Sequence, residues 1–250
     1  GLPLAYLGIL LEELGRAITT VPFHSTMVPA LTIARDGTEA QRQELLPRVS
    51  RGGLILTWAL TEQDPRYTPE AVRMEAIADG DDYVLSGTKM FVDNFNVAEK
   101  CLVACRTAPA SDEKSPHSPP LQRGVRGDFQ RGSGGISLFL VDTRSPGISH
   151  IPLITLAKDK QSQVVFDRVR VPKANLVGGV NQGWPIAEAM LERATALLCA
   201  QMVGATRKDA EMGIEYAKYR VAFGRPIGAF QSIQHLCADM IVWVDGCQLL

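Results

Sequence analysis

Two stretches of the chain carry side chains that could do chemistry. In the first, Glu192 and Arg193 set a carboxylate beside a guanidinium within the helical run MLERATALL. Without further context such a pair reads as a solvated helix face. The second runs Arg220, Phe223, Gly224, Arg225, Pro226, Ile227, then Phe230, Gln231 and Gln234. A guanidinium offers paired donors in a fixed planar fork. A helix break at Gly-Arg-Pro would account for the glycine and proline here but not for the rest. Metal chemistry has less support. Cys101 and Cys105 are four apart in a strand-like run and could share a face, but no CxxC or His-rich partner accompanies them, so no metal site is expected.

The chain has 250 residues, 46% apolar and 21% charged, with a formal net charge of −1. These are ordinary values for a globular protein, and the charge balance gives no electrostatic reason to expect nucleic acid or an anionic membrane as partner. No apolar run approaches the roughly 20 residues of a membrane helix. The apolar start, GLPLAYLGILLEELGRA, lacks the basic leader of a signal peptide. Five cysteines in no dense spacing argue against a disulfide framework, and a reducing cytoplasm is the expected setting.

Those residues need elements to position them. Leu4, Leu7, Leu10, Leu11 and Leu14 draw one stripe on a helix. A second helical stretch covers 22–35. A third starts at Thr38, whose spacing to Gln41 fits a capping pattern, and turns Leu45 and Leu46 inward. From 54 to 171 short apolar runs alternate with turn residues, which predicts about seven strands, with Asp79-Gly80-Asp81 as a turn between two of them. Residues 107–135, rich in Pro, Gly, Ser and Arg, read as a long loop inserted between strands. From Trp184 the helical period returns for about 35 residues, breaks at Gly224 and Pro226, and resumes to the end. Both ends fall inside apolar helical patterns, which predicts a partial chain. The expected fold is α+β: N-terminal helices (1–53), a central antiparallel β-barrel or sandwich (54–178), and a truncated C-terminal helical bundle (179–250).

This order of elements, together with five segments, resembles the acyl-CoA dehydrogenase family over essentially the whole chain outside 107–135. LTWALTEQDPRYTP resembles the stretch that usually reads T-E-P-x-x-G-S-D and carries flavin contacts, which implies Trp58, Leu60 and Thr61 as FAD-binding residues. After Glu62 the pattern departs: Gln63-Asp64-Pro65-Arg66-Tyr67-Thr68 stands where a glycine- and serine-bearing loop wraps the cofactor pyrophosphate with backbone N–H groups. SGTKMFVDN resembles N-G-x-K-x-W-I-T-N, which implies Phe91 beside the flavin, with Val92. It also puts Asp93 where a hydroxyl commonly approaches N5. VFDRVRVP, continuing to Gly178, resembles the strand that closes the family's β-domain. Gly183-Trp184 followed by MLER resembles the next helix, with Arg193 near the thioester end of the substrate. Glu192 stands at the position where a minority of members carry the catalytic carboxylate; most carry it further along, beyond residue 250. Finally RVAFGRPIGAFQSIQ closely resembles R-x-x-F-G-x-P-I-x-x-F-Q-x-x-Q, which implies Arg220 on FAD phosphates across a subunit interface, with Phe223 and Gln231 on the cofactor.

The activity implied is FAD-dependent α,β-dehydrogenation of an acyl-CoA thioester, with electrons passed to an electron-transferring flavoprotein, in a homo- or hetero-oligomer (dimer or tetramer). The altered loop and Asp93 keep open a second reading inside the family, a non-catalytic or half-site subunit of a hetero-oligomeric dehydrogenase. A monooxygenase-like relative on the same fold and a non-enzymatic scaffold using 107–135 as a docking arm are further alternatives.

Overall fold

The computed structural model describes residues 4–108 and 135–249. The insertion expected at 107–135 lies almost wholly outside the described residues. Three helices come first: α1 (Leu4–Arg16), α2 (Phe23–Asp36) and α3 (Glu39–Ser50). The leucine stripe of α1 buries only Leu11 fully, and Leu10 is exposed. In α3 the capping pattern is realised in both directions. The Thr38 hydroxyl accepts from Gln41 N–H, and the Gln41 side chain accepts from Thr38 N–H. Two orphan donors of the helix start are thereby satisfied. Leu45 is buried as expected.

The strands are β1 (Leu56–Ala59), β2 (Glu75–Asp79), β3 (Asp82–Asp93), β4 (Lys100–Arg106), β5 (Ile136–Asp142), β6 (Ile148–Leu153), β7 (Gln161–Pro172) and β8 (Leu176–Val177). They form one eight-stranded sheet in the order β6-β7-β3-β2-β4-β5-β8, with β1 on β4. The expected two-residue turn joins β2 to β3: Asp79 pairs Asp82, and Gly80 adopts φ +65°. β4 and β5 are buried along nearly their whole length, which their unbroken apolar runs CLVAC and ISLFLV foretell. Around them Leu85, Phe139, Val164 and Phe166 make the core, with Tyr83 tilted against Phe139 at 4.9 Å.

Two features of the sheet differ from expectation. It is mixed, because β1 and β2 run parallel to β4. And among the described residues it does not close: β6 and β8, the two ends of the path, are not paired with one another. The barrel expected from the alternating runs is therefore an open sheet. β8 stops after two residues because Gly178, at φ +77°, turns the chain away. β6 carries Pro152, which an edge strand tolerates because it lacks a donor there.

The helix α4 (Gly183–Tyr219) runs 37 residues, followed by a small hairpin, β9 (Val221–Ala222) and β10 (Arg225–Pro226), and α5 (Gln231–Gln248). Gly183 opens α4 in contact with β5, where a Cβ would lie 2.8 Å from Ser137 Cα. By its contacts the chain divides into two units, residues 25–191 and residues 1–24 with 192–250, the boundary falling within α4. In the second unit α1 packs on α4 through small residues, and Arg16 is bidentate to Glu211 at 2.8 and 3.0 Å. Among the described residues no helix is long and apolar enough to cross a membrane.

Candidate active site

In the unit 25–191 the structure gathers Trp58, Leu60, Thr61, Phe91, Val92 and Asp93 along β1 and the end of β3. Thr57 Oγ1 donates to Asp93 O at 2.5 Å, and Met90 N–H donates to Thr61 O at 2.8 Å, so the chain after β1 is tied directly to β3. Between Lys89 and Val92 the β3–β7 register slips, and β3 carries one residue more than its partner. This is a bulge, a device that re-aims a side chain. Phe91 lies within it at φ +55° and is 52% exposed. An aromatic in left-handed backbone is uncommon and strained, and no burial offsets the strain here. Leu60 and Val92 are buried in the wall behind it. The indole Nε1 of Trp58 is buried without a hydrogen-bond partner.

The loop that follows is occupied with itself. Arg66 Nε donates to both oxygens of Asp64 at 2.9 and 3.1 Å, Nη2 donates to Oδ2 at 2.6 Å, and Arg66 N–H donates to Oδ1 at 3.2 Å. The Arg66 guanidinium holds the Asp64 carboxyl down to about 2. Glu62 points inward, and its carboxylate accepts from Arg73 N–H and Met74 N–H at 3.0–3.1 Å and from Lys89 Nζ at 2.8 Å. An open cleft of about 560 Å³ lies against this loop, lined by Glu62, Gln63, Asp64, Arg73, Thr88, Met90 and Gln163.

Lys89 is the residue that sequence reading passed over. Its side chain is wholly buried. Strand alternation holds the signal, since Lys89 shares the inward parity of Tyr83 and Leu85. Cys101 and Cys105 are buried nearby. Burial raises both thiols, Cys105 to about 12, against a smaller opposing effect of Lys89. They stay protonated and unreactive.

In the other unit the structure assembles Arg220, Phe223 and Gln231 around the hairpin between α4 and α5. Phe223 and Gly224 form its two-residue turn at φ +52° and +80°, the pair of positive values that a tight hairpin with right-handed twist favours. Phe223 at the tip is 95% exposed. Phe230 meets it edge-on at 6.1 Å and takes the Arg225 guanidinium over its ring at 4.2 Å. Arg220, exposed, closes the base through its carbonyl, which accepts from Ile227 N–H at 2.8 Å. Gln231 is exposed at the start of α5, while on α4 Glu192 is exposed and Arg193 half-buried.

Models of the acyl-CoA dehydrogenase N-terminal, middle and C-terminal domains match residues 1–53, 57–169 and 181–250 respectively. The chain belongs to the acyl-CoA dehydrogenase family. It is 29% identical over 243 residues to an acyl-CoA dehydrogenase of Bacillus subtilis, covering 96% of this chain and 59% of that one. Among solved structures it is similar to a glutaryl-CoA dehydrogenase of Mycobacterium smegmatis in complex with FADH2, with 27% identity, a TM-score of 0.81, and coverage of 100% of this chain and 59% of that one. It is also similar to a chain in the structure of the electron-transferring flavoprotein of Acidaminococcus fermentans, with 26% identity, a TM-score of 0.80, and coverage of 97% and 59%. The chain thus spans about 59% of the length of these relatives.

Proposed function

We propose that this chain forms the flavin-holding part of an enzyme that removes hydrogen across the Cα–Cβ bond of an acyl-CoA thioester, with FAD as cofactor. One observation carries the reading. The two aromatics that the family resemblance puts on the cofactor, Phe91 and Phe223, are both exposed and both held in left-handed backbone, a strain their own packing does not offset. Strain of that kind gathers at ligand sites. The buried, unpartnered indole N–H of Trp58 and the cleft beside Met90 add to the fit for the ring half of FAD. The relative solved with FADH2 supports the same cofactor.

When bound, FAD supplies the acceptor for the two electrons and hydrogen that leave the β-carbon. The chain's own residues position and polarise. Leu60 and Val92 give an apolar wall, Thr61 offers a hydroxyl, and Phe91 offers a ring face. Across a subunit interface, Arg220 would hold the phosphate oxygens of a cofactor with paired donors, and Phe223 and Gln231 would contact a cofactor as well. Glu192 is the candidate base within these residues for the α-proton, with Arg193 beside it; the position most family members use lies beyond residue 250. An exposed carboxylate becomes an effective base when bound substrate covers it and raises its proton affinity. An electron-transferring flavoprotein is the proposed acceptor, an oligomer the proposed assembly, and the cytoplasm the proposed setting. The test is anaerobic mixing of the FAD-loaded protein with acyl-CoAs. Flavin bleaching that Glu192→Gln abolishes supports Glu192 as base, and bleaching that survives it moves the base elsewhere.

The loop 63–69 favours a second reading. It contains no glycine, and its Arg66 guanidinium and N–H are taken by Asp64 rather than offered to a pyrophosphate. A half-site subunit that keeps the fold and leaves the chemistry to a partner would show this pattern. Failure of the isolated protein to retain FAD, with retention restored by a partner subunit, would select it.

A further inference from the structure

Lys89 has 0% side-chain exposure and ranks among the largest fully buried side chains of the described structure. Placing an ammonium there is expensive unless its protons find acceptors. It finds two. Nζ donates to Leu60 O at 3.2 Å and to Glu62 Oε1 at 2.8 Å. Glu62, itself 11% exposed, also accepts Met74 N–H on Oε1 and Arg73 N–H on both carboxylate oxygens. The Lys89–Glu62 pair therefore joins three pieces of backbone: the segment leaving β1, the residues just before β2, and β3. The next residue repeats the tie, because Met90 N–H donates to Thr61 O at 2.8 Å. The residue after that is Phe91, where the ladder bulges and the backbone is strained. A bulge that aims an aromatic 52% exposed to solvent needs rigid anchorage on its N-terminal side.

We infer that Lys89 is a positioning residue for the cofactor pocket: its buried ammonium, through Leu60 O and Glu62, locks the 60–62 segment against β3 and so fixes Thr61 and Phe91 in the geometry that receives the flavin ring. The inference deepens the flavin reading and rests on it. It also explains why Thr61-Glu62 is kept here while the residues after it depart from the family form. Glu62 belongs to the anchor, whereas the Gln63 and Asp64 side chains take no part in it.

The test uses Lys89→Met, which keeps the stem and removes the ammonium, and Glu62→Gln, which keeps an acceptor and removes the charge. Amide hydrogen exchange is followed on the apo protein, and FAD affinity and the flavin absorption band shape on the loaded one. The expected result for Lys89→Met is faster exchange at Arg73, Met74 and Met90, with Leu102 and Val103 in the β4–β5 ladder unchanged. FAD binding should weaken roughly tenfold, the factor that about 1.4 kcal/mol gives, with an altered band shape. Glu62→Gln should lie between Lys89→Met and the parent. If Lys89→Met fails to fold, Glu62→Gln alone must show the local exchange and the weaker FAD binding. Unchanged exchange at these amides overturns the anchor. Faster local exchange with parental FAD affinity and spectrum overturns the positioning role and leaves a purely structural one. A parent protein that takes up no FAD contradicts the flavin reading instead, and the exchange measurement, which needs no cofactor, tells the two failures apart.

Discussion

Arg66 lays its guanidinium along the carboxylate of Asp64, two residues earlier, and its backbone N–H also donates to Oδ1 of that carboxylate. The Arg66 hydrogen bonds bring the Asp64 carboxyl from 3.8 to about 2. A depressed carboxylate favours the folded arrangement above its ordinary value and loses that contribution as pH falls through the folded one. The pair should therefore hold at neutral pH and open only as the pH approaches 2. A carbon-13 titration of Asp64 should show this midpoint, and Arg66→Ala should return it toward 3.8. Because both side chains lie at the surface, global stability should barely change. Asp64→Asn should free Arg66 and tighten FAD binding at low ionic strength. Weaker binding in that variant would mean that Asp64 itself serves the cofactor.

The left-handed aromatics predict a separation of stability from binding. Phe223 is almost fully exposed, so Phe223→Asn gives up little burial and relieves a conformation that costs an L-residue about 1–2 kcal/mol. It also loses the edge-on contact with Phe230, worth about 0.5–1.5 kcal/mol. The urea midpoint should match or exceed the parent's while FAD affinity falls. A lower midpoint with unchanged affinity would show that Phe223 is structural.

One substitution at two glycines of α4 should have opposite signs. At Gly204 an added Cβ would sit 1.9 Å from the Glu12 carbonyl oxygen of α1, so Gly204→Ala must push the two helices apart. Overpacking of this kind costs about 1–3 kcal/mol. At Gly213 the nearest atom is Met240 Cε at 3.6 Å, an ordinary contact. There alanine should stabilise by about 1 kcal/mol through helix propensity. Thermal melts of the two variants check the pair.

Gln41 serves twice. It completes the Thr38 capping box, and its Nε2 donates to Ala174 O at 3.0 Å and Leu176 O at 2.9 Å. Thr38→Ala should cost about 1 kcal/mol. Gln41→Ala also strands two carbonyls and should cost about 2–4 kcal/mol. Urea denaturation should give this order, and the reverse order would contradict it.

The parts legible in the sequence were those that depend on local pattern. The Thr38–Gln41 box and the Asp79–Asp82 turn follow from residue type and spacing, and so does a helix break near Gly224 and Pro226, although α4 already ends at Tyr219. The sheet's closure did not, because alternation reports which face is buried and says nothing about whether the end strands meet. The antiparallel expectation failed for the same reason, since CLVAC in β4 reads as a doubly buried strand whatever direction its neighbours run. Lys89 was within reach: its inward parity was visible, but its partner Glu62 lies 27 residues away, and no local rule joins them. The Asp64–Arg66 pairing was not legible either, because the sequence places the two side chains near one another without fixing which partner each takes.

The most direct test of the flavin reading is the visible absorption spectrum of the protein after incubation with FAD and gel filtration. The account predicts a yellow protein with about one flavin per chain, its band shape altered by the apolar wall of Leu60, Val92 and Phe91. A colourless protein that stays folded and takes up no flavin at any FAD concentration would contradict it.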